Sequence, residues 1–219
     1  KDFETFSSTG GVALESRRRR DAGRMEFQQM IEMDPPDHTS FRKLVNRIFT
    51  GRRVAAMEDD IRNIFNGYLD QIVERGEADL VEEVTSPFPM DVISAFLDIP
   101  EGDRAQLRSY SDTILIREDG KMELPQVAAE GMFAMLQYFI DDLPKRRKNP
   151  RNGIIDDLLT LEVDGRSLTE EELLGFCILF VIAGHETTTK MVANAIDLLS
   201  RHPDQKRDLA NNLDLAPQA

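Results

Sequence analysis

The sequence has a single cysteine, Cys177, no tryptophan and only three histidines in 219 residues. One thiol excludes a disulfide framework within the chain and a cysteine-rich zinc site, and a reducing compartment is the simplest reading. His38, His185 and His202 are too few and too scattered to suggest a histidine metal cage. Basic charge is also short: 27 Lys and Arg stand against 40 Asp and Glu, a formal net charge of −13. That balance argues against a nucleic-acid binder, which presents a basic face. Long apolar runs are missing too. The longest, "LLGFCILFVIA" from Leu173 to Ala183, falls short of the roughly 20 residues a bilayer core requires, so a buried core helix is expected there. Strand signals are sparse, and neither an internal repeat nor a low-complexity linker is seen.

What the chain does have is helical periodicity, often capped, with an apolar content of 41% that suits a globular core. The opening "FETFSSTGG" reads as a turn, and Arg17 to Arg20 as a solvated face. In "MDPPDHTSFRKLVNRIF" we expect Asp34 as N-cap, Pro35 in the first helical position, and a helix running to about Phe49. A second helix is expected from Val54 to Gly76, then a short edge strand in "ADLVEEV" and a short buried helix in "PMDVISAFLDIP". "GDRAQLRSYSDTILI" and "LPQVAAEGMFAMLQYFIDDLPKRRKN" read as two more helices, and "NGIIDDLLTLEVDGRSL" as a short helix and a turn. Thr169 with Glu172 three residues on forms a capping box that opens a long helix, which Pro203 ends. The result is roughly eight helices with little sheet, a mainly α protein.

The long helix carries an odd octet, "AGHETTTK", Ala183 to Lys190. It is not a zinc-protease helix, because His-Glu-x-x-His would need a second histidine at Thr189. At 100° per residue Ala183 and Thr187 share a face, flanked by Gly184 and Thr188. Gly184 costs about 1 kcal/mol of helix stability against alanine, which asks for a reason. Two reasons are open: a close helix-on-helix contact with each hydroxyl satisfied by its own i−4 carbonyl, or a face kept small for something flat or large.

"AGHETT" resembles the distal-helix motif of the cytochrome P-450 monooxygenases: Ala or Gly, Gly, any residue, Asp or Glu, Thr, then Thr or Ser. It matches at every position. "MDPPDHTSFRKLVNRIFT", Met33 to Thr50, resembles the bacterial-type segment that opens with Asp-Pro-Pro and carries His-x-x-x-Arg. "FSSTGG", "VDGRSLTEEEL" and "RHPDQKRDL" resemble the family as well, so the likeness covers essentially the whole chain. It implies a partial cytochrome P-450 fold, multi-helix with a long central distal helix. It implies that Ile31, His38, Arg42 and Phe49 contact haem from one side and that Ala183, Gly184, Thr187 and Thr188 line its distal face. Thr187 would hydrogen-bond the iron-bound oxygen species, and Glu186 would relay protons from solvent. His185 is variable in the motif and is expected to point away from haem. The spacing agrees with this carry-over, since His38 and Arg42 are four apart and Phe49 returns to nearly the same direction eleven residues on.

The implied activity is insertion of one oxygen atom of O2 into an apolar organic substrate. The cofactor would be haem (iron protoporphyrin IX). Electrons would come from NAD(P)H through a ferredoxin-type or flavodoxin-type partner, in the cytoplasm. Arg52 and Arg53 would help dock an acidic ferredoxin, unless they are simply solvated. Segments 10–29 and 102–148 would border the substrate pocket, with Met25, Met30, Met122, Met132 and Met135 as lining or as core. One departure is serious: the family's glycine-flanked cysteine loop and its Glu-x-x-Arg helix have no match here. Cys177 lies ten residues before Thr187, about 15 Å along the helix, and reads as core. The expectation is therefore a single incomplete domain over residues 1–219, inactive alone, exposing apolar surface that the rest of the parent would cover. The alternative is a non-catalytic helical haem- or hydrophobe-binding protein from a truncated gene.

Overall fold

Phe41, Leu44, Val45 and Ile48 recur at the spacing that puts apolar side chains on one helix face, and in the computed structural model all four are buried on α1 (Asp37–Ile48). The structure describes residues 2–9, 11, 29–121, 123–151, 153–163 and 165–218. The arginine run at 17–20, Met25 and Met122 lie outside the described residues. Asp34 does not cap α1 as expected. Its carboxylate instead accepts hydrogen bonds from Ser7 Oγ at 2.5 Å and Ser8 N at 2.9 Å. The helix begins three residues later, its first turn carrying the acid Asp37.

The single helix expected from Val54 to Gly76 is two. Thr50 accepts from Arg53 N at 3.3 Å and starts the short α2 (Gly51–Ala55). Three acids, Glu58, Asp59 and Asp60, then open α3 (Glu58–Val73), where the helix dipole favours negative charge. The edge strand expected in "ADLVEEV" is a wide helical turn, Val81–Thr85. Asp79 Oδ1 accepts from the backbone N–H groups of Val81 and Glu82 at 3.0 and 3.1 Å, and Glu83 Oε1 accepts from Asp79 N at 3.0 Å. That local capping outcompetes the alternating apolar pattern.

The next helices fall where expected: α4 (Pro87–Leu97), α5 (Glu101–Ile114), α6 (Gln126–Lys148), α7 (Ile154–Thr160) and α8 (Glu170–Arg201); α9 (Pro203–Asn211), which the sequence reading did not assign, follows with Pro203 in its first turn. Between α7 and α8, β1 (Glu162–Val163) pairs antiparallel with β2 (Arg166–Ser167), Glu162 opposite Ser167. Gly165 turns this hairpin at φ +76°, a conformation glycine adopts without steric cost. Short 3-10 turns occupy Met30–Glu32 and Leu213–Gln218.

The capping box of α8 forms as read: Glu172 N donates to Thr169 Oγ1 at 3.2 Å and Thr169 N to Glu172 Oε2 at 3.0 Å. This helix is the axis of the fold. It packs against α4, α5, α6, α7, α9 and the Met30–Glu32 turn. Leu173, Phe176, Cys177, Ile178 and Val181 join the main hydrophobic cluster with Phe41, Leu97, Leu107, Met135, Phe139 and Ile155. By length and composition alone α8 could cross a membrane; here its apolar half is the core helix expected from the sequence. Below it, the fully buried Arg146 donates to Asp142 Oδ2 at 2.5 Å, Asp156 Oδ2 at 3.4 Å and the Asp98 carbonyl at 2.9 Å, tying α6 to α7 and to the end of α4.

Candidate functional site

An apolar cleft of about 540 Å³ lies between α1 and α8, with Met30 and Ile31 among its lining residues. From α1 it receives His38, Arg42, Val45 and Asn46, with Phe49 just past the end of that helix, and from α8 Phe176, Leu179, Phe180, Ala183 and Gly184. On each wall the spacing is that of one helix face. Phe49 meets Phe180 with ring centroids 5.4 Å apart, and Phe176 stacks on Phe180 at 5.5 Å, so an aromatic wedge joins the two walls. His38 and Arg42 bring the polarity, with Asn46 one turn further on.

The structure thus gathers Ile31, His38, Arg42, Phe49, Ala183 and Gly184 around one space. Thr187, Thr188 and Glu186 are not among the residues that line it. The Thr187 hydroxyl donates to its own Ala183 carbonyl at 2.5 Å, and Thr189 does the same to His185 at 3.0 Å. Glu186 is ion-paired with Lys190 one turn on. The octet is unbroken α-helix. Back-bonding satisfies the hydroxyls without displacing the ladder. Gly184 answers both sequence readings at once. A Cβ there would meet Ile93 Cδ1 at 2.7 Å, so the glycine lets α4 approach closely while its other side opens on the cleft.

His185 turns away from the cleft, as expected, into a buried polar niche. Its Nδ1 lies 3.1 Å from Ser111 Oγ and its Nε2 3.1 Å from the Ser86 carbonyl. Asp112 Oδ1 is 3.7 Å from Nδ1. Burial lowers the ring's pKa from its ordinary 6.5 and raises that of Asp112 from 3.8. Cys177 is fully buried, and burial pushes its thiol up, so it is neither a reactive thiol nor in the cleft. Arg53 is held by Asp157 at 2.5 Å. Met135 is core, and Met132 packs against it. Among the described residues no cluster of His, Cys, Asp or Glu is arranged to hold a metal ion.

A family model described as cytochrome P450 matches residues 119–217. The chain is 36% identical over 206 residues to putative cytochrome P450 123 of Mycobacterium bovis, covering 94% of this chain and 51% of that protein. It is 38% identical over 189 residues to cytochrome P450 monooxygenase PikC of Streptomyces venezuelae, covering 85% of this chain and 44% of that one. The solved structure of cytochrome P450 CYP109Q5 from Chondromyces apiculatus superposes with a TM-score of 0.81 at 32% identity, over 99% of this chain and 53% of that structure.

The chain belongs to the cytochrome P450 family. It is of the bacterial type and spans about half the length of the curated relatives it matches. Cytochrome P450 membership implies a haem iron cofactor. The lining is chemically compatible with the edge of such a group: an apolar, aromatic interior with two side-chain donors, His38 and Arg42, on one wall. It does not offer a thiolate for the iron. The sequence resemblance missed Val45, Asn46, Phe176, Leu179 and Phe180 as lining residues, and offered Met30 only for a substrate pocket. The i, i+4, i+8 series from His38 would have found Asn46. Phe180 and Phe176 stand one and two turns before Gly184.

Proposed function

We propose that the cleft between α1 and α8 seats haem in a monooxygenase that inserts one oxygen atom of O2 into an apolar organic substrate. The observation that carries this is the pairing of His38 and Arg42 on one wall with Ala183 and Gly184 on the other. Arg42 would grip a propionate with its planar fork, and His38 would supply a second donor. Phe49, Phe176 and Phe180 would cover apolar ring surface and keep water out. Ala183 and Gly184 would leave room above the metal. When bound, haem supplies the oxygen-activating redox chemistry, fed by electrons from NAD(P)H through a ferredoxin-type or flavodoxin-type partner. Glu186 and Thr187 are the catalytic pair in this reading. Glu186 takes up protons from solvent and holds them beside the Thr187 hydroxyl. Both must first leave present partners, Lys190 and the Ala183 carbonyl. Thr188, one turn after Gly184 and outside the present lining, would extend the same helix face. Arg53, held by Asp157, leaves Arg52 to meet an acidic partner.

The reading of one incomplete domain over residues 1–219 rests on Cys177, buried in the core and away from the cleft. The thiolate would come from outside these residues, so the chain alone would bind haem without turning over substrate, and the intact enzyme would work in the cytoplasm. PikC, named a monooxygenase, supports the reaction class. Titration of ferric protoporphyrin IX into the chain, followed by the Soret band, tests the seat. Arg42→Ala should weaken binding about tenfold, the scale of a lost charge-assisted bidentate contact. Equal affinity of both proteins would reject it. For the reaction, the intact enzyme with a ferredoxin system and labelled O2 should give product carrying one labelled oxygen atom.

A further inference from the structure

The niche behind the cleft has a chemistry that fixes its own role. Ser86 presents a backbone carbonyl to His185 Nε2 at 3.1 Å, and a carbonyl only accepts. Nε2 therefore carries the ring proton. In the neutral ring Nδ1 is then the acceptor, and the Ser111 hydroxyl at 3.1 Å donates to it. Such a ring cannot pass a proton through itself, because the far side ends on a carbonyl that has no proton to give. A relay role is excluded by this geometry. What the two bonds do is mechanical: they connect the middle turn of α8 to the residue preceding α4 and to the last turn of α5.

We propose that His185 is a positioning residue, held as the Nε2–H tautomer, that pins the Ala183–Thr187 turn of α8 and so sets the rotation at which Ala183 and Gly184 face the cleft while Glu186 stays at its rim. Three observations converge on it. His185 is the last buried residue of α8. Its neighbour Gly184 lets Ile93 of α4 close in, an apolar contact without directionality. The ring bonds are directional and reach two different elements, which adds a rotational constraint at this turn to the packing of the earlier turns. The charged groups around the niche are Asp112 and Arg108 from α5, Glu186 from α8 itself with its partner Lys190, and Glu82 from the wide turn near Asp112. None displaces the neutral ring from its two bonds.

The inference that this turn faces a haem rests on the function proposed above; the pinning does not, and the experiment keeps them apart. Nitrogen NMR of the ring in the unaltered chain should show Nε2 protonated and Nδ1 not, at neutral pH. Amide hydrogen exchange should then be compared in His185→Phe, which keeps the volume and loses both bonds, and His185→Gln, whose amide can donate to Ser86. Exchange across residues 184–189 should rise about tenfold in the Phe variant, the scale of a lost buried bonded pair, with α3 unchanged, and return to within about threefold in the Gln variant. A ring protonated on Nδ1, a Phe variant that exchanges like the parent, or a Gln variant no better than Phe would each overturn the pinning. Failure of the haem reading would show separately, as an unaltered chain that keeps this exchange pattern and binds no haem.

Discussion

The two halves of α8 share one continuous helix and meet different fates. From Leu173 to His185 seven residues are buried; from Glu186 to Arg201 none is. Both halves contain large apolar side chains, yet Ile178 is fully buried while Met191 and Leu198 are 65% and 55% exposed. Propensity and hydrophobicity do not distinguish them. What does is the company: α4, α5, α6 and α7 crowd the first half, and the last fixed points are the Ile93 contact at Gly184 and the ring bonds of His185. The cleft lies along the end of the packed half, where a rigid wall is available to position a ligand.

The contrast should be visible in stability. Ile178→Ala, in the packed half, should cost about 2–5 kcal/mol in denaturant unfolding, since the cavity it leaves is enclosed on all sides. A loss under about 1 kcal/mol would mean that the core there is looser than described. Gly184→Ala comes next. Its new Cβ would press on Ile93 Cδ1 at 2.7 Å, for a loss of about 1–3 kcal/mol. Ile93→Val removes that methyl, so the double variant should recover most of the loss; simple additivity would assign the cost elsewhere.

A pH effect of smaller size marks the boundary between the halves. Because burial holds the folded His185 ring below its ordinary 6.5, the unfolded chain binds a proton that the folded chain refuses. Stability should therefore fall as pH drops through 6.5 and level off below the folded-state value, by at most about 1.4 kcal/mol per pH unit. Asp112, raised above 3.8 by burial, works in the opposite sense, and folding gains as acidification approaches 4. His185→Gln should erase the slope below 6.5 and leave the acid-side gain. Smallest of all, Leu198→Ala in the exposed half should stay within about 0.5 kcal/mol of the parent. A large loss there would show the second half packed in solution.

Much of this was legible in the sequence because periodicity and caps are local. The Thr169–Glu172 box, the apolar stripe of α1 and the stop at Pro203 all follow from residues within one or two turns. Asp34 and "ADLVEEV" misled for the same reason in reverse. Asp34 is recruited by Ser7 and Ser8, 27 and 26 residues away in sequence, and Asp79 with Glu83 closes a turn where alternation suggested a strand. The cleft was half readable. A four-residue spacing announces that His38 and Arg42 share a face, but nothing local says that Phe176 and Phe180 of α8 meet Phe49 of α1. The small stripe of the octet was seen; that Thr187 turns back to Ala183 while His185 finds Ser86 and Ser111 depends on neighbours that only the fold supplies.

The packed end of α8, and not the exposed end, is the wall we propose for haem. The direct measurement is a haem titration of two tryptophan variants, Ala183→Trp in the cleft and Met191→Trp on the exposed half. Ala183→Trp should weaken haem binding at least about tenfold, while Met191→Trp should bind within about twofold of the parent. Equal affinities in the two variants would contradict it.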